Sequence, residues 1–253
     1  MRWLKRRLYR LAMLHVAAPT LRLAGRPVIH FLHIGKTGGT AVKAAFGAYR
    51  WPIRRVPRGF LLFHSHDVRL RHLPPREPVV LFVRDPVSRF VSSFNSRLRR
   101  GRPRRHVPWT RAEARAFAEF RTPNELAEAL STEDEGLRER ASAAMQAIEH
   151  VADPLTDFLG TPEDLQARRA DIVFVGHQET FDTDFDKLAT ALGLASPPAR
   201  PGREQAHRAP PQSDTTLSAR ARDNLERWYA PDRALIAWLE SPADSCPAEA
   251  HND

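Results

Sequence analysis

Two short stretches carry residue types that can do chemistry on an anion. The first, FLHIGKTGGTAVKAAF, runs from Phe31 to Phe46 and holds two of the four lysines in a chain with thirty-five arginines. A chain that writes arginine almost everywhere else keeps Lys36 beside Gly38 and Gly39. Those glycines let backbone N–H groups approach an anion closely. Thr37 and Thr40 add hydroxyl donors, and a helix starting here turns its positive end toward negative charge. Lysine adds a mobile cation with three donors, which the planar fork of arginine does not replicate. The pattern is not a Walker A loop, which needs Gly-x4-Gly-Lys-Ser/Thr. Gly35-Lys36-Thr37 supplies the second half, but His30 stands where the first glycine is required. Taken alone, the stretch also fits an ordinary tight strand-to-helix turn.

The second stretch, FVRDPVSRFVSSF, runs from Phe82 to Phe94. Arg84 ends an apolar run, Asp85 is a good helix N-cap and Pro86 a good first helical residue. Ser92 follows two turns into the helix, off the apolar stripe of Val87, Phe90, Val91 and Phe94. A guanidinium and a hydroxyl placed this way can hold a phosphate. Singly, Arg84 fits equally well as a partner of Asp85, and Ser92 as part of a solvated helix face. A third group, LLFHSHDVRL, sets His64 and His66 ahead of this run, with Asp67 next to orient a ring. At strand-like spacing the two rings share a face, and an imidazole suits proton acceptance near neutral pH. No cysteine or acidic cluster accompanies this His-x-His, so no metal is expected. A surface or structural histidine pair remains the plain alternative.

These residues need elements to hold them. PVIHFLHIG, PVVLFVRDP and DIVFVGHQE are short apolar runs with little alternation, as in parallel strands covered on both faces. Each is followed by a helical pattern, the last marked by Phe181, Phe185, Leu188 and Leu192. Repeated strand–loop–helix units predict an α/β fold with a central parallel sheet, in which ligands bind at the carboxyl ends of strands. His177 ends the third strand and so faces the same edge. The stretch 101–160 reads as a helical insertion, and residues 161–240 return to the core as a loop and a helical pair broken at Pro231. The whole chain, 1–253, is expected to form one domain, with 27–100 as the anion-binding part.

Composition narrows the partners. Apolar content of 42% and charged content of 27% are ordinary for a globular chain of 253 residues, but a net charge of +9 is not. It predicts an anionic partner, although no signature of nucleic-acid binding is present. The run RLRRGRPRRH, from Arg97 to His106, can steer an acidic ligand or serve as a solvated linker. Cys246 is the single cysteine, which excludes an internal disulfide and a cysteine metal site. The N-terminal MRWLKRRLYRLAMLH has amphipathic helical spacing with no apolar run long enough to span a bilayer. Two readings fit residues 1–15: a basic helix resting on an anionic membrane surface, and a helix packed on the domain. The missing linker before the first strand favours the second. The expected location is the cytoplasm, with peripheral contact at the inner membrane face kept open.

HIGKTGGT followed by FVRDPVSRFVSSF resembles the sulfotransferase superfamily that uses PAPS (3′-phosphoadenosine 5′-phosphosulfate). The similarity is greatest to its carbohydrate branch, such as heparan sulfate 2-O-sulfotransferase, and covers roughly 28–96. The resemblance implies a three-layer, P-loop-like fold and transfer of a sulfuryl group to a glycan hydroxyl without a metal. It implies that Lys36, Thr37, Gly38, Gly39 and Thr40 hold the 5′-phosphosulfate, and that Arg84 and Ser92 hold the 3′-phosphate. It further implies that His66 is the catalytic base, with His64 assisting. Gly35 stands where the family usually has proline. His207 and Arg208 lie where the family often closes the nucleotide site. Two other functions stay open on the residues alone: a P-loop-like nucleotide phosphotransferase and a non-catalytic polyanion binder. The oligomeric state is not legible.

Overall fold

The computed structural model describes residues 2–103, 106–202, 205–206, 210 and 213–241. His207, Arg208 and Cys246 lie outside the described residues, as do Arg104, Arg105 and the side chains of residues 2–6. A strand covered on both faces needs an apolar residue at nearly every position. β1 (Val28–Leu32) and β4 (Val79–Val83) meet that condition and are buried throughout. The third expected strand is β5 (Ile172–His177). Two more strands, β2 (Ile53–Val56) and β3 (Gly59–Phe63), pair as an antiparallel hairpin. Sequence reading passes over them because β2 carries two arginines and Pro57 interrupts the run. The sheet order is β2-β3-β1-β4-β5, with β3, β1, β4 and β5 parallel and β2 an antiparallel edge. Gly59 is needed at the hairpin: its φ is 140°, and a Cβ there would lie 2.4 Å from the Pro27 carbonyl oxygen.

Alternation along β4 sorts the layers. Val79, Leu81 and Val83 face α8 (Leu155–Leu159), α9 (Pro162–Gln166) and α12 (Ala230–Glu240). Val80 and Phe82 face α3 (Gly39–Ala45) and α10 (Phe181–Ala191) on the other side. The fold is therefore the expected three-layer α/β arrangement. The N-terminal segment is one continuous helix: α1 (Arg2–Ala12), a π turn over Met13–Ala17, and α2 (Ala18–Leu23). Met13 and Ala18 pack on Val28 and Leu62, and the Tyr9 hydroxyl donates to the Phe63 carbonyl. Burial, with Asp67 adding to it, pushes that hydroxyl up to about 12. The helix thus docks on the sheet, while Leu8, Leu11 and Val16 on its outer side stay exposed. Among the described residues no helix is long and apolar enough to cross a membrane.

The region 101–160 is not a self-contained insertion. α5 (Arg111–Glu119), α6 (Pro123–Ala129) and α7 (Glu135–Ala147) share one apolar core with α4 (Pro86–Leu98) and α11 (Ala219–Trp228). Its last helix, α8, belongs instead to the sheet's own layer. The lobe is clamped to α4 by a buried ion pair. Arg97 Nε and Nη2 donate to the two Glu113 oxygens at 2.6 and 2.7 Å, with side chains only 5% and 1% exposed. Burial alone would raise the Glu113 carboxyl, but the hydrogen bonds from Arg97 hold it below its ordinary value. Arg97 is therefore engaged inside the fold and not free to steer a ligand. Arg99 donates to Ser213 Oγ at 2.9 Å, and Arg100 lies 4.1 Å over the Trp109 ring. The basic run thus stabilises the lobe at these three positions. Glu113→Ala, which strands a buried guanidinium, should cost about 3–5 kcal/mol. Thr110→Ala, which removes only the α5 cap, should cost about 1 kcal/mol. Urea denaturation of the two variants checks this order.

Candidate active site

β3, β1 and β4 are neighbours and parallel, so the loops leaving their carboxyl ends meet. They open on a cavity of about 970 Å³ lined by Lys36, Gly38, Gly39, Thr40, Arg84 and Ser92, among others. Lys36 and Arg84, forty-eight residues apart in the chain, come together here. The Lys36 carbonyl accepts from Arg84 Nη1 at 3.4 Å, and Arg84 Nε donates to Ser88 Oγ at 2.8 Å. Asp85 makes no hydrogen bond or ion pair with Arg84. It caps α4 by accepting from the Ser88 N–H at 2.7 Å and pairs with Arg233 at 2.8 Å. Ser92, one turn beyond Ser88, lines the cavity without being the hydroxyl that Arg84 touches.

The loop between β1 and α3 is tightly constrained. Lys36 has a φ of 70° and Gly38 a φ of 91°. A left-handed backbone is unusual for a residue with a side chain, and such strain concentrates at functional sites. A Cβ on Gly39 would lie 2.3 Å from His33 Cδ2, so only glycine lets the helix start against that ring. Thr37 departs from expectation: its hydroxyl donates to the Ile34 carbonyl at 3.1 Å and its side chain is buried. It braces the loop from within and, unlike Lys36, Gly38, Gly39 and Thr40, does not line the cavity. Desolvation, reinforced by Arg84, Arg99 and Arg89, pulls the Lys36 ammonium down to about 7. A cavity that depresses a lysine in this way favours an anion able to restore its charge.

Arg89 ties the site together, and it was not among the expected residues. It is 2% exposed, donating from Nε to the Gly35 carbonyl at 3.0 Å and from Nη2 to the Asp153 carbonyl at 2.6 Å. The available signal was an arginine set between Val87 and Phe90 on the inward side of an amphipathic helix.

The histidines sort differently from the sequence expectation. His66 lines the cavity, with Nδ1 3.2 Å from the His33 carbonyl oxygen. The carbonyl accepts a hydrogen bond from Nδ1–H, so the neutral ring carries its lone pair on Nε2. His33 and His150 line the cavity too, with ring centroids 3.9 and 5.4 Å from that of His66. His64 is absent from the cavity wall. It is fully buried, its Nε2 is 2.8 Å from His30 Nδ1, and its carbonyl accepts from Lys43 Nζ. Burial, then His30 and Lys43, hold it well below the ordinary imidazole range. His64 cannot assist a base from there. The reason is that β3 ends at Phe63 and the chain turns, so the two rings do not share a face. His177 also misses the cavity: its Nε2 is 2.9 Å from Glu240 on α12, and Gln178 to Thr183 reach the wall instead.

The far wall comes from α4 and the loop before α11. Asn95 Nδ2 donates to the Asp214 carbonyl at 2.5 Å, and Ala206, Ser213 and Thr215 line the cavity. Among the described residues no group of three or more His, Cys, Asp or Glu is placed to hold a metal ion.

Parallel strand tips that bring a lysine loop and a second cationic centre to one cavity suit an anionic ligand. A family model described as "Sulfotransferase family" matches residues 19–240, and the chain belongs to that family, whose chemistry is sulfuryl transfer. Neither the curated proteins nor the solved structures include a match. Binding of an anion against Lys36 has to return its proton. Pyrophosphate affinity should therefore fall as pH rises through about 7, by up to about tenfold per pH unit. Lys36→Ala should flatten that profile in calorimetric titrations across the same range.

Proposed function

We propose that the protein transfers the sulfuryl group of PAPS to a hydroxyl of a carbohydrate acceptor. The observation that carries this reading is that the Lys36 ammonium and the Arg84 guanidinium open into one cavity from the tips of adjacent strands. Two cationic centres in one cleft suit a nucleotide charged at both ends. The residues fit such a donor: Lys36 and the backbone of Gly38, Gly39 and Thr40 at the 5′ end, Arg84 and Ser92 at the 3′-phosphate. The volume lies at the top of the roughly 300–1,000 Å³ range for small-molecule sites and leaves room for an acceptor ring beside the nucleotide. A carbohydrate acceptor is supported by the resemblance to the glycan branch and by Tyr49 on the cavity wall.

In the reaction the acceptor oxygen forms a bond to sulfur as the bond from sulfur to the 5′-phosphate oxygen breaks. The electron pair goes to the phosphate, and adenosine 3′,5′-bisphosphate leaves. The acceptor proton passes to Nε2 of His66, which the His33 carbonyl orients. Lys36 meets the charge that grows on the leaving oxygen, as fixed charges do in phosphoryl transfer. The phosphotransferase alternative is weakened at His30. That residue lies inside β1, hydrogen-bonded to His64 and 2.5 Å from Glu77 Oε2, where no phosphate loop can form.

Adenosine 3′,5′-bisphosphate should bind the wild-type protein in calorimetry. Arg84→Ala should weaken that binding by about 1–3 kcal/mol, the loss of a charge-assisted contact. Unchanged affinity in Arg84→Ala would remove the two-ended site. His66→Ala should bind the bisphosphate as the wild type does yet lose transfer from PAPS to a carbohydrate panel. Full turnover in that variant would overturn the base assignment, and transfer only to lipid or small-molecule hydroxyls would overturn the acceptor class.

A further inference from the structure

The cavity wall includes an imidazole that neither motif accounts for. His150 sits in the turn after α7 with a φ of 71°, a left-handed backbone that a non-glycine residue adopts only under strain. Its Nδ1 is 3.6 Å from Asp153 Oδ2, and the same oxygen accepts the His150 backbone N–H at 3.2 Å. The imidazole beside it draws the Asp153 carboxyl down to about 2, so Asp153 is a firm carboxylate. Arg89 holds the Asp153 carbonyl with one nitrogen and the Gly35 carbonyl with another. The ring is thereby seated on the loop itself: a Cβ on Gly35 would lie 2.6 Å from His150 Nδ1. This contact accounts for a glycine at position 35.

From this placement we infer that His150 is a second catalytic imidazole, one that binds the sulfuryl oxygens of the donor while His66 works on the acceptor. The inference rests on the reading proposed above. His150 covers the residue before Lys36, hence the 5′ end of the site and not the Arg84 end. With Nδ1 turned to Asp153, Nε2 is the nitrogen available to a ligand in the cavity. An arriving anion favours the charged imidazolium. Nε2–H then donates to a sulfuryl oxygen, while the Asp153 carboxylate stands beside Nδ1. His150 transfers no proton in the step. Bond making and breaking at sulfur are those given above, with the acceptor proton on His66.

The test uses His150→Gly, because glycine adopts a positive φ readily and the fold should survive, as thermal melting will show. PAPS and adenosine 3′,5′-bisphosphate are titrated into wild type and variant. The variant should bind PAPS about 10- to 100-fold more weakly, the loss of a charge-assisted hydrogen bond, while its bisphosphate affinity stays near wild type. Gly35→Ala should impair PAPS binding in the wild-type background, where the new Cβ displaces the ring, and have little effect beside His150→Gly. A wild-type ratio of the two affinities in His150→Gly, or equal Gly35→Ala effects in both backgrounds, overturns the role of His150 alone. Failure of the wild-type protein to bind either nucleotide overturns the donor assignment and this inference with it.

Discussion

The site depends on one buried cation, the guanidinium of Arg89. A guanidinium removed from water demands hydrogen-bond acceptors on its fork. Here they are the carbonyls of Gly35 and Asp153, which belong to the lysine loop and to the turn leaving the helical lobe. Asp232 on α12 contributes negative charge nearby, and its carboxylate accepts from the backbone N–H groups of Leu155 and Thr156 at 2.8 and 3.3 Å. One side chain thus fixes the positions of a strand tip, a turn and, through Asp232, the start of α8. If that cation were removed, Lys36 and His150 would lose their common reference.

Cationic groups crowd around Lys36. Lys36 feels Arg84, Arg99 and Arg89, with Glu149 as the opposing charge. Burial also lowers Arg84, with Glu179 and Asp85 acting against it. A fold selected for stability alone would not gather cations in this way. The strained backbones of Lys36 and His150 point the same direction, since both positive φ values fall on the cavity wall. The stabilising interactions lie elsewhere, in the continuous apolar layers on either side of the sheet and in the Arg97–Glu113 clamp of the lobe.

The lobe has a functional position as well as a structural one. Because its core is shared with α4, the helix that begins at the Arg84 end of the site also forms the lobe's inner wall. Ser92, Asn95 and Ser96 of α4 line the cavity, and Glu149 and His150 reach it from the turn after α7. The far wall is completed by the loop before α11, held to α4 through Asn95 and Arg99. The lysine-loop side and the lobe side of the cavity are therefore not separate units in this chain. Both are built on the same helix.

Much was legible in the residues alone. Unbroken apolar runs determined β1, β4 and β5, Asp85-Pro86 determined the start of α4, and Lys36 and Arg84 stood out at strand tips that line one cavity, because each signal is local. Only the tertiary structure decided which side chains share the cavity. His64 and His66 are two residues apart, yet the chain turns between them, burying one and exposing the other to the site. Arg89 reads as one more arginine until its two carbonyl partners, far apart in sequence, are brought to it. His150 carries no motif, and its place beside Lys36 follows from a lobe folding back onto α4. Long-range juxtaposition of this kind arises from packing, and no local pattern of residue types encodes it.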